Sequence, residues 1–132
     1  MVETDNINDM YKFKTPALRN VSLTAPYGHN GAYSTLKAII KHHLNPVKMN
    51  KNWKPEFANL PNAPWLEQID FVTFSDTREQ DRILSSIEIK PIDLTDKEIN
   101  QIVSFLESLT GKTKNKRPLG KPDKVPSGLT ID

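Results

Sequence analysis

All three histidines of this 132-residue chain lie between residues 29 and 43, and the chain contains no cysteine. His29 sits in a glycine-flanked turn, "PYGHNG", whereas His42 and His43 are adjacent near the end of an apolar stretch, "TLKAIIKHHL". A histidine side chain can exchange a proton, ligate a metal ion or ligate haem iron. The cluster therefore leaves three interpretations open: ordinary packing, a metal site and a haem site.

The sequence predicts the helix that presents two of these histidines. Ser34 is a suitable N-cap, and Asn45-Pro46 ends the helix because proline cannot continue the hydrogen-bonding pattern. Apolar residues at helical spacing form one stripe: Leu36, Ile39, Ile40 and Leu44. At about 100° per residue, His43 falls within this stripe and His42 falls to one side of it.

Packing and metal binding make different demands on these residues. A histidine on an apolar helical face is usually a hydrogen-bonded core residue, and a histidine in a turn usually bonds its own loop. A site built from His29, His42 and His43 fits the spacing poorly, since adjacent side chains on a helix point about 100° apart. Helical ligand pairs are usually four residues apart, and no carboxylate occurs at such a spacing on this helix.

Haem ligation requires an apolar wall, an axial nitrogen or sulfur atom, and cations for the propionates. The predicted stripe supplies the wall, and His43 supplies the axial nitrogen. Arg19, in the preceding loop, can pair with a propionate through two parallel hydrogen bonds. Without cysteine, the chain cannot attach a haem covalently or form a thiolate metal site or a disulfide. The residues alone do not decide between this site and packing.

The remaining elements indicate a mostly α fold with long loops. Residues 11–34 contain prolines and glycines without a helical period, which predicts an extended, turn-rich loop. Residues 47–76 combine aromatic anchors with prolines and are predicted to be dominated by loops, and residues 77–86 to form a short helix. The last helix has the clearest signals, because Thr95 and Glu98 can form a capping box. Its predicted apolar face consists of Ile99, Ile102, Val103, Leu106 and Leu109.

Composition predicts a thin core. Only 36% of the residues are hydrophobic, against about 45–50% in average globular chains, and the mean hydropathy is -0.56. Long segments must therefore lie on the surface or against another part of the protein. The first ten residues, "MVETDNINDM", do not resemble a signal peptide. No apolar run approaches the ~18 residues that a membrane span needs.

The charge distribution argues against a nucleic-acid partner. Eighteen basic and sixteen acidic residues give a net charge of +2, so the chain has no strong overall positive field. A local basic excess lies at residues 111–124, but no aromatic residue interleaves with the positive charges there. Such lysine-rich segments are usually solvated tails.

Four motifs follow one another along the chain: "FKTPALRNV", "LTAPYGHNG", "TLKAIIKHH" and the closing "SFLESLTG". Taken in this order, they resemble the C-terminal part of bacterial di-haem cytochrome c peroxidases and their MauG-like relatives. The resemblance covers residues 11–48 and 91–111. It implies that residues 11–111 are the C-terminal portion of a cytochrome-c-like haem domain that lacks its Cys-x-x-Cys-His segment. Residues 1–10 are then expected to be disordered or a linker, and residues 112–132 an extended basic tail.

The resemblance implies a periplasmic oxidoreductase. In the family, one haem reduces hydrogen peroxide, and the other receives electrons from a small donor cytochrome or cupredoxin. The expected partners are the N-terminal haem-bearing portion of the same protein and this donor, with a homodimer possible, no nucleic acid and no membrane span. This chain alone is not expected to be a peroxidase. An alternative is a non-catalytic, stand-alone module that docks on a haem-bearing partner.

The resemblance also implies roles for particular residues. The distal axial ligand of the C-terminal haem c falls on His43, at a place that is commonly methionine in classical peroxidases and tyrosine in MauG-like enzymes. Imidazole in place of a thioether should lower the haem potential. Arg19 matches the propionate partner. The backbone carbonyls of Thr24 and Pro26 match ligands of an interdomain calcium ion, and His29 is expected near the domain interface.

Overall fold

The computed structural model describes residues 6–66 and 69–111 of the chain. Within these ranges the secondary structure is helical, and the only β-type pairing is an isolated antiparallel bridge between Tyr27 and Tyr33. The predicted mostly α fold is therefore confirmed. The five α-helices of the described ranges are α1 (Leu36–Leu44), α2 (Pro46–Asn52), α3 (Val72–Ser75), α4 (Thr77–Ser85) and α5 (Asp96–Ser108). Short 3-10 turns occur at Ile7–Asp9, Val21–Leu23, His29–Gly31 and Pro55–Phe57.

Helix α1 begins one residue later than the sequence predicted. The N-cap is Thr35 rather than Ser34, and its hydroxyl accepts a hydrogen bond of 3.2 Å from the amide of Ala38. Serine and threonine both serve as N-caps, so two such residues side by side leave the first residue of a helix ambiguous. The predicted end at Leu44 is confirmed.

Helix α2 was missed because Pro46 was interpreted only as a stop signal. Proline is tolerated at the first position of a helix, where its absent N–H would have no intrahelical partner. Asn45 ends α1 and also caps α2, since its side-chain oxygen accepts from the amide of Lys48 at 3.0 Å. The prediction that loops dominate residues 47–76 was therefore partly wrong. The predicted helix at residues 77–86 is confirmed as α4.

The core lies between α1 and α5. Its buried members are two residues of each helix, and partly buried apolar residues surround them: Leu36, Ile40, Ile99 and Leu106, with Val21, Tyr27, Ile39, Leu44, Leu94, Ile102, Val103 and Leu109. The predicted apolar face of α5 therefore packs as expected. Two ion pairs support the contact, because the carboxylate of Asp96 lies 3.1 Å from Lys37 and 3.7 Å from Lys41. Lys37 is the main reason that the pKa of Asp96 is lowered.

The predicted capping box of α5 is confirmed. The hydroxyl of Thr95 accepts from the amide of Glu98 at 3.3 Å, and the Glu98 carboxylate accepts from the amide of Thr95 at 2.8 Å. We expect Thr95→Ala to lower the free energy of unfolding by about 1 kcal/mol, measured by urea denaturation, because the amide of Glu98 loses its partner. The control is Ser104→Ala, on the exposed face of the same helix. Equal losses in the two variants would contradict a capping role for Thr95.

The extended segment before α1 is fastened to the end of α5. The side-chain oxygen of Asn20 accepts a hydrogen bond of 2.7 Å from the backbone amide of Gly111. The backbone amide of Asn20 donates to the carbonyl of Leu109 at 3.2 Å. The hydroxyls of Ser22 and Thr110 are 2.7 Å apart. These contacts fix the loop on which the predicted residue Arg19 lies.

The structure describes only part of the two ends of the chain. Residues 7–9 form a 3-10 turn inside the segment predicted to be disordered or a linker. The tail predicted at residues 112–132 lies outside the described ranges, and the predicted domain boundaries stay predictions. No helix of the described ranges has the length and apolar character needed to cross a bilayer.

Candidate functional site

The three histidines occupy three different environments. His29 lies in an exposed turn, and its ring stacks at a tilt against Phe13, with 5.2 Å between the ring centroids. The backbone of this turn has positive φ at Gly28 (77°), Asn30 (54°) and Gly31 (63°). Glycine adopts such angles without steric cost, which explains the glycines on both sides of the histidine.

Gly31 is required for a second reason. A Cβ atom at this position would lie 2.9 Å from the carbonyl oxygen of Asn59 and 2.9 Å from a ring carbon of Pro26. The turn therefore packs tightly against the loop that follows α2. The backbone amide of Asn59 also donates to the carbonyl of Gly31 at 3.1 Å. Together, the two contacts hold the turn in place relative to that loop.

His42 makes the principal polar contact of the cluster. Its Nδ1 atom lies 3.0 Å from the hydroxyl of Tyr33, and the two rings are 5.2 Å apart between centroids. Tyr33 is buried, and its backbone exchanges hydrogen bonds of 2.7 and 3.0 Å with Tyr27. Burial raises the pKa of Tyr33, so its hydroxyl stays protonated and can donate to a neutral His42. His42 thus connects α1 to the turn that contains His29.

The partial burial of His42 makes the stability of the chain depend on pH. Burial, and to a lesser extent the neighbouring His43, lowers the pKa of His42 below its ordinary value of 6.5. The unfolded chain therefore binds a proton more readily than the folded chain, so the contribution of His42 to stability is complete above pH 6.5 and is lost as the pH falls through the lowered pKa.

We expect the urea midpoint of the chain to fall between about pH 7.5 and about pH 5.5, and His42→Gln to reduce this fall. The matched control is His29→Gln, at an exposed position, which should retain the dependence of the parent chain. An unchanged dependence in His42→Gln would show that His42 is not its source.

His43 is exposed, although it falls within the predicted apolar stripe. Its ring meets that of His42 edge to face, with the centroids 5.7 Å apart. The buried positions of α1 are Leu36 and Ile40, so the surface covered by α5 does not extend to His43. The imidazole instead borders a cleft whose apolar lining comes from the N-terminal loop, the start of α2 and the region around the end of α4: Phe13, Pro46, Ile83, Ile87 and Ile89. We call this the His43 cleft.

The structure does not bring the histidines together as a metal site. Among residues 6–66 and 69–111, no group of three or more histidine and carboxylate side chains is arranged to hold a metal ion. The packing interpretation fits His42, which is half-buried and contacts Tyr33. It does not fit His43, because the imidazole of His43 is exposed. The sequence placed His42 only to one side of the apolar stripe, and its contact with Tyr33 was not predicted because it depends on how the loop folds back onto α1.

The other predicted site residues lie on the loop before α1. Arg19 is exposed and runs alongside Gly111 at the end of α5. Thr24 is exposed, and its hydroxyl donates to the carbonyl of Val21 at 3.0 Å. In the described part of the chain, no amide donates to the backbone carbonyl of Thr24 or Pro26. The predicted roles of Arg19, Thr24 and Pro26 stay predictions, as does ligation of haem by His43.

Known proteins with a similar sequence include MauG and cytochrome-c peroxidases. Methylamine utilization protein MauG of Paracoccus denitrificans (strain Pd 1222) is 35% identical over 104 aligned positions, and the alignment covers 76% of this chain and 23% of that protein. Cytochrome-c peroxidase IdrP1 of Denitromonas iodatirespirans is 28% identical over 108 residues, or 82% of this chain and 20% of that protein. Cytochrome-c peroxidase IdrP2 of the same organism is 28% identical over 118 residues, or 89% of this chain and 22% of that protein.

The chain spans about a fifth of the length of these relatives. No protein-family model matches it, and no solved structure matches it. The predicted resemblance to di-haem peroxidases and MauG-like proteins is confirmed by the relatives.

Proposed function

The chain is homologous to part of MauG and of the cytochrome-c peroxidases, and from this premise we propose that it is the C-terminal segment of a di-haem c-type cytochrome peroxidase-like oxidoreductase. The whole protein would reduce hydrogen peroxide with electrons from a small cytochrome or cupredoxin. The haem-bearing portion that precedes this segment would contribute both Cys-x-x-Cys-His motifs, since this chain has no cysteine. The proposed location is the periplasm, and the whole protein is a candidate homodimer.

The observation that best supports this proposal is the exposed imidazole of His43 beside an apolar cleft. Helix α1 is held in place by its core contacts with α5, so His43 is presented from a packed helix. An accessible nitrogen next to isoleucine and phenylalanine side chains would give a haem an axial ligand and apolar contacts. The ion pair of Lys12 and Glu88, 3.1 Å apart, also lines this cleft. The haem, when bound, supplies the electron-transfer chemistry.

The chain's own residues would hold and orient the cofactors. We propose that a ring nitrogen of His43 occupies the distal axial position of the C-terminal haem. The exposed guanidinium of Arg19 would donate two hydrogen bonds to a propionate. The carbonyl oxygens of Thr24 and Pro26, to which no described amide donates, would bind calcium together with ligands from the preceding domain.

A histidine at the distal position affects the electron-transfer role. Imidazole ligation lowers the potential of a haem relative to thioether ligation. The haem that this segment completes would therefore be a weaker electron acceptor than its counterpart in classical peroxidases. This difference favours a donor of correspondingly low potential.

The proposal is tested by expressing the complete reading frame with cytochrome c maturation and measuring peroxide-dependent oxidation of a reduced small cytochrome. We expect an in-frame Cys-x-x-Cys-His upstream of this segment, covalent haem and saturable turnover. The purified 132-residue chain is expected to be colourless and inactive. A reading frame without a haem-attachment motif would contradict the proposal and favour a stand-alone module that docks on a haem-bearing partner.

A further inference from the structure

A second cleft, of about 330 Å³, lies between the turn that contains His29, the end of α2 and the segment at the start of α3. Aromatic side chains form much of its lining, so we call it the aromatic cleft: Tyr33, Trp53, Phe71 and Phe74. It shares His42 and Asn50 with the His43 cleft but does not include His43. The proposed haem role does not explain this arrangement of rings.

Trp53 is the fixed centre of the aromatic cleft. Its indole N–H donates a hydrogen bond of 2.9 Å to the carbonyl of Ala32, so this polar atom is already paired. The Trp53 ring lies 5.2 Å from Phe74 in an edge-on arrangement and 6.1 Å from Phe71 at a tilt, between ring centroids. The ring faces carry partial negative charge, and such faces attract cations.

The charged lining of the aromatic cleft also favours a cation. Asp70 is half-buried and is the only carboxylate among the described residues that line it. No lysine or arginine of the described ranges lines the cleft. The other polar side chains of the lining, besides Tyr33, are His29, Asn30, His42, Asn50, Thr73 and Gln80. The side-chain amide of Gln80 donates to the carbonyl of Thr73 at 3.3 Å. Burial lowers the pKa of His42, which favours its neutral form.

We propose that the aromatic cleft binds a small organic monocation with a quaternary or alkylated ammonium group. Aromatic rings and a single carboxylate attract such a cation, because it loses little hydration energy when it meets ring faces. A strongly hydrated metal ion would gain little from the same rings, and an anion would be repelled by Asp70. The volume suits a molecule of the size of choline, at the lower end of small-molecule sites. The proposal is independent of haem ligation by His43.

The test is a fluorescence titration of the full 132-residue chain with choline chloride at constant ionic strength. Trp65 is 78% exposed, so Trp65→Phe leaves Trp53 as the reporter without disturbing the cleft. We expect a saturable change with choline and at least about fivefold weaker binding of 3,3-dimethylbutan-1-ol, its neutral analogue of the same shape. Absence of saturation, or equal binding of the two compounds, would overturn the proposal.

Two variants test the contacts separately. We expect Asp70→Asn, which removes the charge and keeps the shape, and Phe74→Leu, which removes a ring, each to weaken choline binding by about fivefold or more. Asp93→Asn, at an exposed position that does not line the cleft, is the matched control and should bind as the parent does. If Phe74→Leu unfolds the chain, the Asp70→Asn variant alone tests the proposal. An unchanged affinity of Asp70→Asn for choline would contradict it.

Discussion

Replacing Ile99 by alanine is expected to lower the free energy of unfolding by about 2–5 kcal/mol, enough to unfold much of a small chain with few buried residues. Ile99 is 4% exposed and packs between α1 and α5. Its removal leaves a cavity in the contact that fixes α1. The core is thin, since the buried hydrophobic residues of the described ranges are Tyr33, Leu36, Ile40, Ile99 and Leu106.

The measurement is urea denaturation followed by far-ultraviolet circular dichroism. Ile92→Ala is the matched control, because it deletes the same atoms at a position that is 57% exposed. We expect this control to change the free energy of unfolding by about 0.5 kcal/mol or less. Equal losses in the two variants would show that the α1–α5 contact does not dominate the stability of the chain.

Replacing His43 by methionine is expected to raise the reduction potential of the haem that this segment ligates, because a thioether favours the reduced iron. The shift should be on the order of 0.1 V or more, within the range of about 0.8 V that axial ligands span. The side chain is exposed, so the substitution should leave the core intact.

The potential is measured by spectroelectrochemical titration of the haem-loaded full-length protein. His29→Met introduces the same side chain at an exposed position of the preceding turn and should leave the potential unchanged. Equal potentials in the parent and in His43→Met would remove His43 from the axial position.

Elements with local signals were predicted well from the sequence. The capping box of Thr95 and Glu98 and the apolar face behind it fixed α5, because both signals act within one helix. The apolar stripe on α1 and the stop signal at Asn45 also act within one helix, so α1 was predicted as well. The first turn of α2 was missed because Pro46 can both end one helix and begin the next, and the sequence alone does not decide between the two.

Features that depend on tertiary contacts could not be predicted. The phase of α1 indicated that His43 faces the apolar side, but phase does not tell how much of that side a neighbour covers. Helix α5 covers Leu36 and Ile40 and leaves His43 exposed. The bond between His42 and Tyr33 requires the turn before α1 to fold back along the helix, and no spacing rule connects these two residues.

The resemblance to peroxidases was predicted from ordered motifs rather than from composition. The resemblance implies that His43 is an axial ligand, which stays a proposal, and the structure leaves its imidazole exposed beside the His43 cleft. The aromatic cleft was not predicted, because Trp53, Phe71 and Phe74 were interpreted only as anchors of a loop. Their clustering arises from the packing of the α3–α4 segment against the end of α2.

The most direct test is the electronic absorption and electron paramagnetic resonance spectrum of the haem-loaded full-length protein with His43→Ala. The account predicts that the six-coordinate, low-spin signal of the C-terminal haem is lost in this variant and retained in His29→Ala. A six-coordinate, low-spin signal that survives unchanged in His43→Ala would contradict the assignment of His43 as the distal ligand.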